Sequence, residues 1–109
     1  MRPVASMASI VAIVFLVLTA TASAPKPPRH SVTMEATGFQ PQSITVKAGD
    51  VVVWTNKDPF PHTATSTAAG FDSHPLAPGA SFTFKATKKG EFAYVCTLHP
   101  TMKATLKVE

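Results

Sequence analysis

The segment Cys96-Thr97-Leu98-His99-Pro100-Thr101-Met102 decides how this sequence is interpreted, because it concentrates three metal-binding side chains in one short stretch. A thiol, an imidazole and a thioether follow one another at steps of three residues, in the pattern C-x-x-H-x-x-M. A structural zinc site would need four strong ligands, whereas this segment supplies two strong ligands and one weak one. The pattern therefore predicts a site for a soft metal, with one ligand still missing.

Copper is the metal that this set of donors indicates. Two histidines and one cysteine in a plane, with a distant axial methionine, form a blue copper centre. The missing histidine must come from elsewhere in the chain, and His62 in the segment Pro59-Phe60-Pro61-His62-Thr63 is the candidate. His74 and His30 are its rivals. We expect His74 to be a surface residue of a long loop, and we assign His30 no role.

Alternation of apolar and polar residues predicts an all-β fold. From Ser31 onward no long stretch has helical periodicity, and short alternating runs are separated by turn signals. This spacing is typical of an antiparallel β-sandwich of about seven short strands. The predicted strands are Val32–Ala36, Ser43–Lys47, Val51–Thr55, His62–Ser66, Ser81–Ala86, Glu91–Cys96 and Ala104–Val108.

The period of two also predicts where the thiol lies. Phe92, Tyr94 and Cys96 share one face of their strand. Because the two aromatic rings should point into the core, the thiol should lie at the edge of the apolar interior. That environment suits a buried copper–sulfur bond. Phe82 and Phe84 are expected to point inward in the same way.

The N-terminal part of the chain is predicted to be a leader and a tether. Residues 1–24 are typical of a secretory signal peptide, with an apolar run Ile10–Leu18 and A-x-A cleavage patterns, of which we prefer cleavage after Ala22. An uncleaved membrane anchor is the alternative, since the apolar run almost reaches bilayer length when it is extended in both directions. Residues 25–31 form a proline-rich tether that is expected to stay loose, and residues 32–109 form the single folded domain.

Charge and cysteine content narrow the possible partners. The formal net charge is +4, with one local cluster at Lys85, Lys88 and Lys89. This excess is too mild to predict a nucleic-acid partner, but it fits an acidic redox partner. The chain has one cysteine. A lone thiol in an exported protein is paired between chains, free or bound to metal, and copper would protect it.

Three further segments carry a resemblance to a known family. Met34–Pro41, Ile44–Asp50 and Lys89–Met102 resemble the corresponding parts of small cupredoxins of the amicyanin and plastocyanin kind, and the resemblance covers about Val32 to Glu109. It implies a Greek-key β-sandwich in which one copper ion alternates between Cu(I) and Cu(II). The implied ligands are His62, Cys96, His99 and Met102.

The resemblance also has two departures. Cupredoxins often carry Asn directly after the first ligand histidine, where this chain has Thr63, and the tie between the two ligand loops is therefore in doubt. The backbone N–H of Thr63 should still be able to donate to the Cys96 sulfur. Amicyanins often have Pro before the second histidine, where this chain has Leu98. We expect that change to alter the apolar surface around His99 and with it the choice of partner.

The resemblance implies an exported, periplasmic type 1 copper protein that shuttles single electrons and is not an enzyme. Redox partner proteins would dock weakly at the His99 face of a monomer, and the chain would contact a membrane only if the leader is retained. The alternative is a periplasmic copper-binding protein for copper delivery, storage or tolerance. A third hypothesis, a Cys–His thiol hydrolase, is disfavoured, because no third orienting residue is evident and the domain is too small for a deep cleft.

Overall fold

The computed structural model describes residues 3–4, 10–17 and 25–109, and within them the secondary structure consists of strands. The strands are β1 (Arg29–Glu35), β2 (Gly38–Gln40), β3 (Ser43–Val46), β4 (Val51–Asn56), β5 (Thr65–Ser66), β6 (Phe71–Asp72), β7 (Ser81–Lys85), β8 (Gly90–Cys96) and β9 (His99–Val108).

These strands form two sheets that pack face to face as a β-sandwich. The four-stranded sheet has the order β2-β1-β4-β7, and the five-stranded sheet has the order β3-β9-β8-β5-β6. Two neighbouring pairs, β1 with β4 and β3 with β9, are parallel, and the others are antiparallel. The chain passes from β2 to β3 in the opposite sheet and returns in β4, so no hairpin forces β1 and β4 to be antiparallel.

The core lies between the sheets and is built from the inward face of each alternating strand. Trp54 on β4 is fully buried, and its ring centroid lies 5.1 Å from that of Phe71 and 5.6 Å from that of Tyr94. Burial raises the pKa of Tyr94 to about 12, because the phenolate form would lose its hydration. Phe92, Tyr94 and Cys96 all face this interior, which confirms the predicted position of the thiol.

The predicted fold class is confirmed, but several details differ from the prediction; for example, the predicted strand His62–Ser66 is shortened to β5, Thr65–Ser66. The short strands β2 and β6 raise the number of strands to nine, and the two parallel pairs make both sheets mixed. Phe82 and Phe84 are only half-buried, because β7 is an edge strand of its sheet. The last strand begins at His99 rather than at Ala104, since the residues after the hairpin turn already extend along β8.

The start of the domain differs from the predicted tether. β1 begins at Arg29, so the last three residues of the segment 25–31 pair with Val51, Val52 and Val53. The His30 side chain also contacts Asp50, with 2.9 Å between Nε2 and Oδ2. These bonds hold a part of the chain that was expected to stay loose.

The predicted leader lies partly outside the described residues. Within residues 1–24 the structure describes 3–4 and 10–17, which are exposed and have no regular secondary structure. Among the described residues there is no helix with the length and apolar character needed to cross a membrane. The signal peptide and its cleavage stay predictions.

The buried stripe of β9 makes a direct prediction about stability. Leu106 is fully buried and pairs with Phe92 on one side and with Ile44 on the other. Replacing Leu106 with Ala leaves a cavity, and we expect the free energy of unfolding to fall by about 2–5 kcal/mol. Urea denaturation followed by tryptophan fluorescence measures this free energy.

The exposed Lys103 on the same strand is the matched control, and Lys103→Ala should change the free energy of unfolding by less than about 0.5 kcal/mol. Equal losses in both variants would contradict this account of the core.

Candidate metal centre

The β8–β9 hairpin brings two of the predicted site residues to Cys96. From Gly90 opposite Val108 to Val95 opposite Lys103 the two strands pair in one continuous register, which would place Met102 opposite Cys96. At the end of the ladder the register shifts by a bulge, and Cys96 pairs with His99 instead. Residues 100–102 therefore have no partner on β8 and form the bulge next to the hairpin turn. His99 and the buried Met102 both lie beside the thiol as a result.

His62 comes from the other side of the sandwich. It lies in the connection after β4, and a bridge to Leu76 holds its backbone through two hydrogen bonds of 3.2 and 2.7 Å. Its side chain is fully buried. The imidazole therefore occupies a fixed position in the interior, and the rings of His62 and His99 lie 5.0 Å apart.

The three donor atoms converge on one point. The Sγ atom of Cys96 lies 3.6 Å from Nδ1 of His62 and 3.7 Å from Nδ1 of His99. All three donors lie within 4.8 Å of one another. With bonds of the length seen for zinc, about 2.3 Å to sulfur and about 2.0 Å to nitrogen, a central ion would hold sulfur about 3.7 Å from each nitrogen. The observed separations have the size that a shared metal ion requires.

A carboxylate that was not identified from the sequence orients the His62 ring. Asp58 lies four residues before His62, and its Oδ2 is 2.7 Å from Nε2 of that ring. An ionised carboxylate at this distance accepts a hydrogen bond from Nε2–H, which leaves Nδ1 as the nitrogen without a proton, facing the sulfur. Asp58 therefore selects the tautomer that a metal site needs.

Asp58 is itself held in the ionised form. Burial acts to raise the pKa of its carboxyl group, but hydrogen bonds from His62 and from the amides of Thr37 and Ala36 outweigh burial and leave the pKa below its ordinary value. Ala36 and Thr37 form the turn between β1 and β2 with positive φ angles of 50° and 55°. The carboxylate satisfies both amides of this left-handed turn.

Thr63 connects the two loops that carry the donors. Its backbone N–H donates to the Cys96 sulfur over 3.3 Å, as expected from the sequence. Its hydroxyl accepts a hydrogen bond of 2.9 Å from the amide of Thr97 and lies 3.0 Å from the Thr97 hydroxyl. The side-chain tie that seemed doubtful without an asparagine is therefore made by a threonine.

One edge of the site reaches the surface. His99 is half-buried, whereas His62 and Cys96 are fully buried. Phe60 and Leu98 are exposed large apolar side chains of the folded domain, and the Phe60 ring lies 5.6 Å from the His99 ring. The exposed edge of the His99 ring therefore lies in an apolar surface.

Comparison with known proteins places the chain in a family. The sequence matches the family profile described as "Cupredoxin-like domain" over residues 8–108. The chain belongs to this family.

Individual relatives agree with that assignment. The plastocyanin of Scenedesmus fuscus is 33% identical over 84 residues, which cover 65% of this chain and 86% of that protein. The amicyanin-alpha of Methylorubrum extorquens is 30% identical over 76 residues, which cover 65% of this chain and 64% of that protein. The chloroplastic plastocyanin of Tetradesmus obliquus is 38% identical over 72 residues, or 56% of this chain, and the match spans half of that protein's length.

A solved structure shares the fold. The copper-containing nitrite reductase of Thermus scotoductus superposes with a TM-score of 0.72 and 27% sequence identity, covering 82% of this chain and 24% of that much longer chain. The likeness covers the sandwich described above and only one part of the reductase.

The residues of this cupredoxin fit copper as the cofactor. Two imidazole nitrogens and a cysteine sulfur lie around one point, and a soft thioether lies close to them. Thiolate and thioether ligands select copper, and three strong donors with one weak donor are the composition of a type 1 site. The cofactor expected from the sequence, one copper ion, agrees with this set.

The rival histidines lie elsewhere. The side chain of His74 is 81% exposed and its Nδ1 is 3.7 Å from Asp72, and His30, which lies on β1, contacts Asp50. Among the described residues, His62, Cys96 and His99 form the one cluster with donor atoms close enough to share an ion. The structure therefore brings His62, Cys96 and His99 together, with the buried Met102 close to them, and places both rival histidines elsewhere. The assignment of the four residues as ligands stays a prediction.

Sequence reasoning missed the supporting residues. Asp58 was not predicted to support the site, although its position four residues before His62 was a usable signal. Phe60 and Thr97 have no recognisable pattern of their own, because their roles depend on how the two loops meet.

The contact between Asp58 and His62 predicts an effect on copper binding. Asp58→Asn removes the charge that fixes the His62 tautomer, and we expect copper affinity to fall about 10–100-fold. Competition with a chelator of known affinity measures this change. Glu91→Gln is the matched control, because Glu91 is an exposed carboxylate at the opposite end of β8 from Cys96. If both variants bind copper as tightly as the unmodified protein, Asp58 does not support the site.

Proposed function

We propose that this cupredoxin is an exported type 1 copper protein that carries single electrons between redox partner proteins and is not an enzyme. His62, Cys96, His99 and Met102 are the proposed ligands. The observation that carries the proposal is the convergence of two imidazole nitrogens on one sulfur at 3.6 and 3.7 Å. Bound copper would supply the one-electron chemistry by alternating between Cu(I) and Cu(II).

The chain holds the donor atoms with bonds that do not involve a metal. Asp58 fixes the His62 ring, and the amide of Thr63 donates to the Cys96 sulfur. Thr97 joins the two loops through the Thr63 hydroxyl. Because these bonds stay the same whatever the charge of the ion, the donors need to move little when an electron enters or leaves. Small movement favours fast electron transfer.

The enclosure of the site supports a carrier rather than an enzyme. His62, Cys96 and Met102 expose at most 2% of their surface, and only the His99 ring reaches solvent. A substrate would need an open position next to the metal, and three of the four proposed ligands are closed off from solvent. The nitrite reductase is similar over 24% of its chain, so its activity is not carried over to this protein.

The proposed location and docking mode follow from the sequence and the surface. The apolar run and the small-residue cleavage patterns of residues 1–24 support export to the periplasm, with membrane attachment only if that leader is retained. The apolar rim of Phe60 and Leu98 around His99 supports weak docking of a redox partner by a monomer. No nucleic-acid partner is proposed.

The first test is the spectrum of the copper-loaded protein. Adding Cu(II) should produce the intense visible absorption of a thiolate–Cu(II) bond and the narrow EPR hyperfine splitting of a type 1 site, because Cys96 supplies the sulfur. Cys96→Ser should abolish the visible band. His74→Ala is the matched control and should leave it unchanged. A copper-bound protein that stays colourless would contradict the proposal.

Copper exchange distinguishes the carrier from a copper-delivery protein, which is the alternative from the sequence. A carrier should retain its copper through many cycles of oxidation and reduction in the presence of an acceptor chelator, since buried ligands release the ion slowly. Transfer of the copper to the acceptor within the first cycles would favour delivery or storage.

The electron self-exchange rate tests the proposed exit through His99. When two copies meet through their apolar rims, Leu98→Asp places like charges at the contact, and we expect the rate to fall about tenfold or more. NMR line broadening in mixtures of oxidised and reduced protein measures the rate. Thr87→Asp changes the charge equally at an exposed position near the end of β7 and should have little effect. Equal slowing by both variants would show that electrons do not leave through the His99 face.

A further inference from the structure

Most of the basic side chains of residues 25–109 lie at one end of the sandwich. We call this region the basic end and define it by six exposed residues: Lys26, Arg29, Lys47, Lys85, Lys88 and Lys89. The sequence showed a local cluster only in the last three. The other three join them through the fold.

The strand pairing shows why these residues meet. Arg29 on β1 and Lys85 on β7 are both partners of Val51 on β4, so they lie in one row on the outer face of the sheet. Two strand spacings of about 4.8 Å separate them. Backbone bonds from Val51 to Pro28 and from Gly49 to Ala86 hold the tether, the β3–β4 turn and the end of β7 together. Lys47 lies in that turn, and Lys88 and Lys89 follow β7 directly.

The basic end lies opposite the metal centre. β8 runs from Gly90, beside Lys89, to Cys96, a span of about 20 Å at about 3.3 Å per residue. At the other end of the domain, acidic residues outnumber basic ones: Glu35, Asp58 and Asp72 lie there with Lys57 and Lys103. The domain is therefore polarised, with positive charge at the end farthest from His99.

The acidic groups at the basic end are few, and two of them contact basic side chains. Asp50 is buried and contacts His30, and Glu109 lies 3.6 Å from the ammonium group of Lys107. Among the described residues, Glu91 is the other acidic side chain of this end. The six basic side chains outnumber them.

We propose that the basic end rests on a membrane surface rich in anionic phospholipid, with the His99 face directed away from the bilayer. The chain that precedes β1 joins the domain at this end, through the segment that contains Lys26. The proposal rests on the form of the chain that retains its leader, in which the apolar segment 10–17 precedes this positive surface. Clusters of four to eight basic residues beside such a stretch attract anionic headgroups.

The large apolar side chains exposed on the folded domain, Phe60 and Leu98, lie at the other end. The basic end therefore lacks the exposed aromatic groups that stack on nucleic-acid bases.

The experiment measures sedimentation of the full chain with lipid vesicles. Vesicles of phosphatidylglycerol with phosphatidylcholine are compared with vesicles of phosphatidylcholine alone, because insertion of an apolar leader would occur in both. Each basic residue near the surface contributes about fivefold to anionic binding. The double variant Lys85→Gln/Lys89→Gln should therefore lower the preference for anionic vesicles by about 25-fold. Added salt should weaken the preference in the unmodified protein.

A matched control removes the same charge from the other end. Lys57→Gln/Lys103→Gln should change the preference less than about threefold. The proposal is overturned if both double variants lose the preference equally, or if the unmodified protein binds both kinds of vesicle alike. Binding to polyglutamate in the absence of any vesicle preference would assign the basic end to an acidic protein instead. Because the measurement needs no copper, its failure would leave the proposed electron-carrier function untouched.

Discussion

The hydrogen bond from the Thr63 amide to the Cys96 sulfur, 3.3 Å long, is the contact on which the rest of the site depends. Thr63 follows β4 of the four-stranded sheet, whereas Cys96 ends β8 of the five-stranded sheet. His62 adjoins the first residue, and His99 pairs with the second. The donors of the site therefore come together only when the two sheets pack, so a bound ion would add to the stability of the folded sandwich.

The supports of the site extend beyond the donors in both directions. Asp58 connects the His62 ring to the β1–β2 turn, and Asn56 donates from its side chain to the carbonyls of Phe60 and Leu76. The Thr63 hydroxyl connects the same loop to Thr97 in the hairpin. Because most of these bonds end on backbone groups, they hold the imidazole and thiol groups in place. Such restraint would suit the proposed electron carrier, whose donors should move little between the two oxidation states.

The sequence was sufficient for the fold class and for the cluster of His62, Cys96 and His99, because strands leave periodic patterns and Cys96 and His99 are closely spaced. Cys96, His99 and Met102 are spaced by the hairpin itself, and the alternation in β8 showed that the thiol points inward. The parallel pairing of β1 with β4 left no such pattern, since it depends on a strand crossing between sheets. Asp58, the Thr63–Thr97 tie and the clustering of Arg29 with Lys85 are likewise contacts between segments far apart in sequence, which periodicity cannot reveal.

The central claim is that the polypeptide, rather than the metal, places the donor atoms. Crystal structures of the metal-free and the copper-loaded protein test it most directly, through the distances from the Cys96 sulfur to Nδ1 of His62 and of His99. The account predicts that both distances stay near 3.6 and 3.7 Å with and without copper, with the Asp58 contact intact. A metal-free structure in which either imidazole has turned away from the sulfur would contradict it.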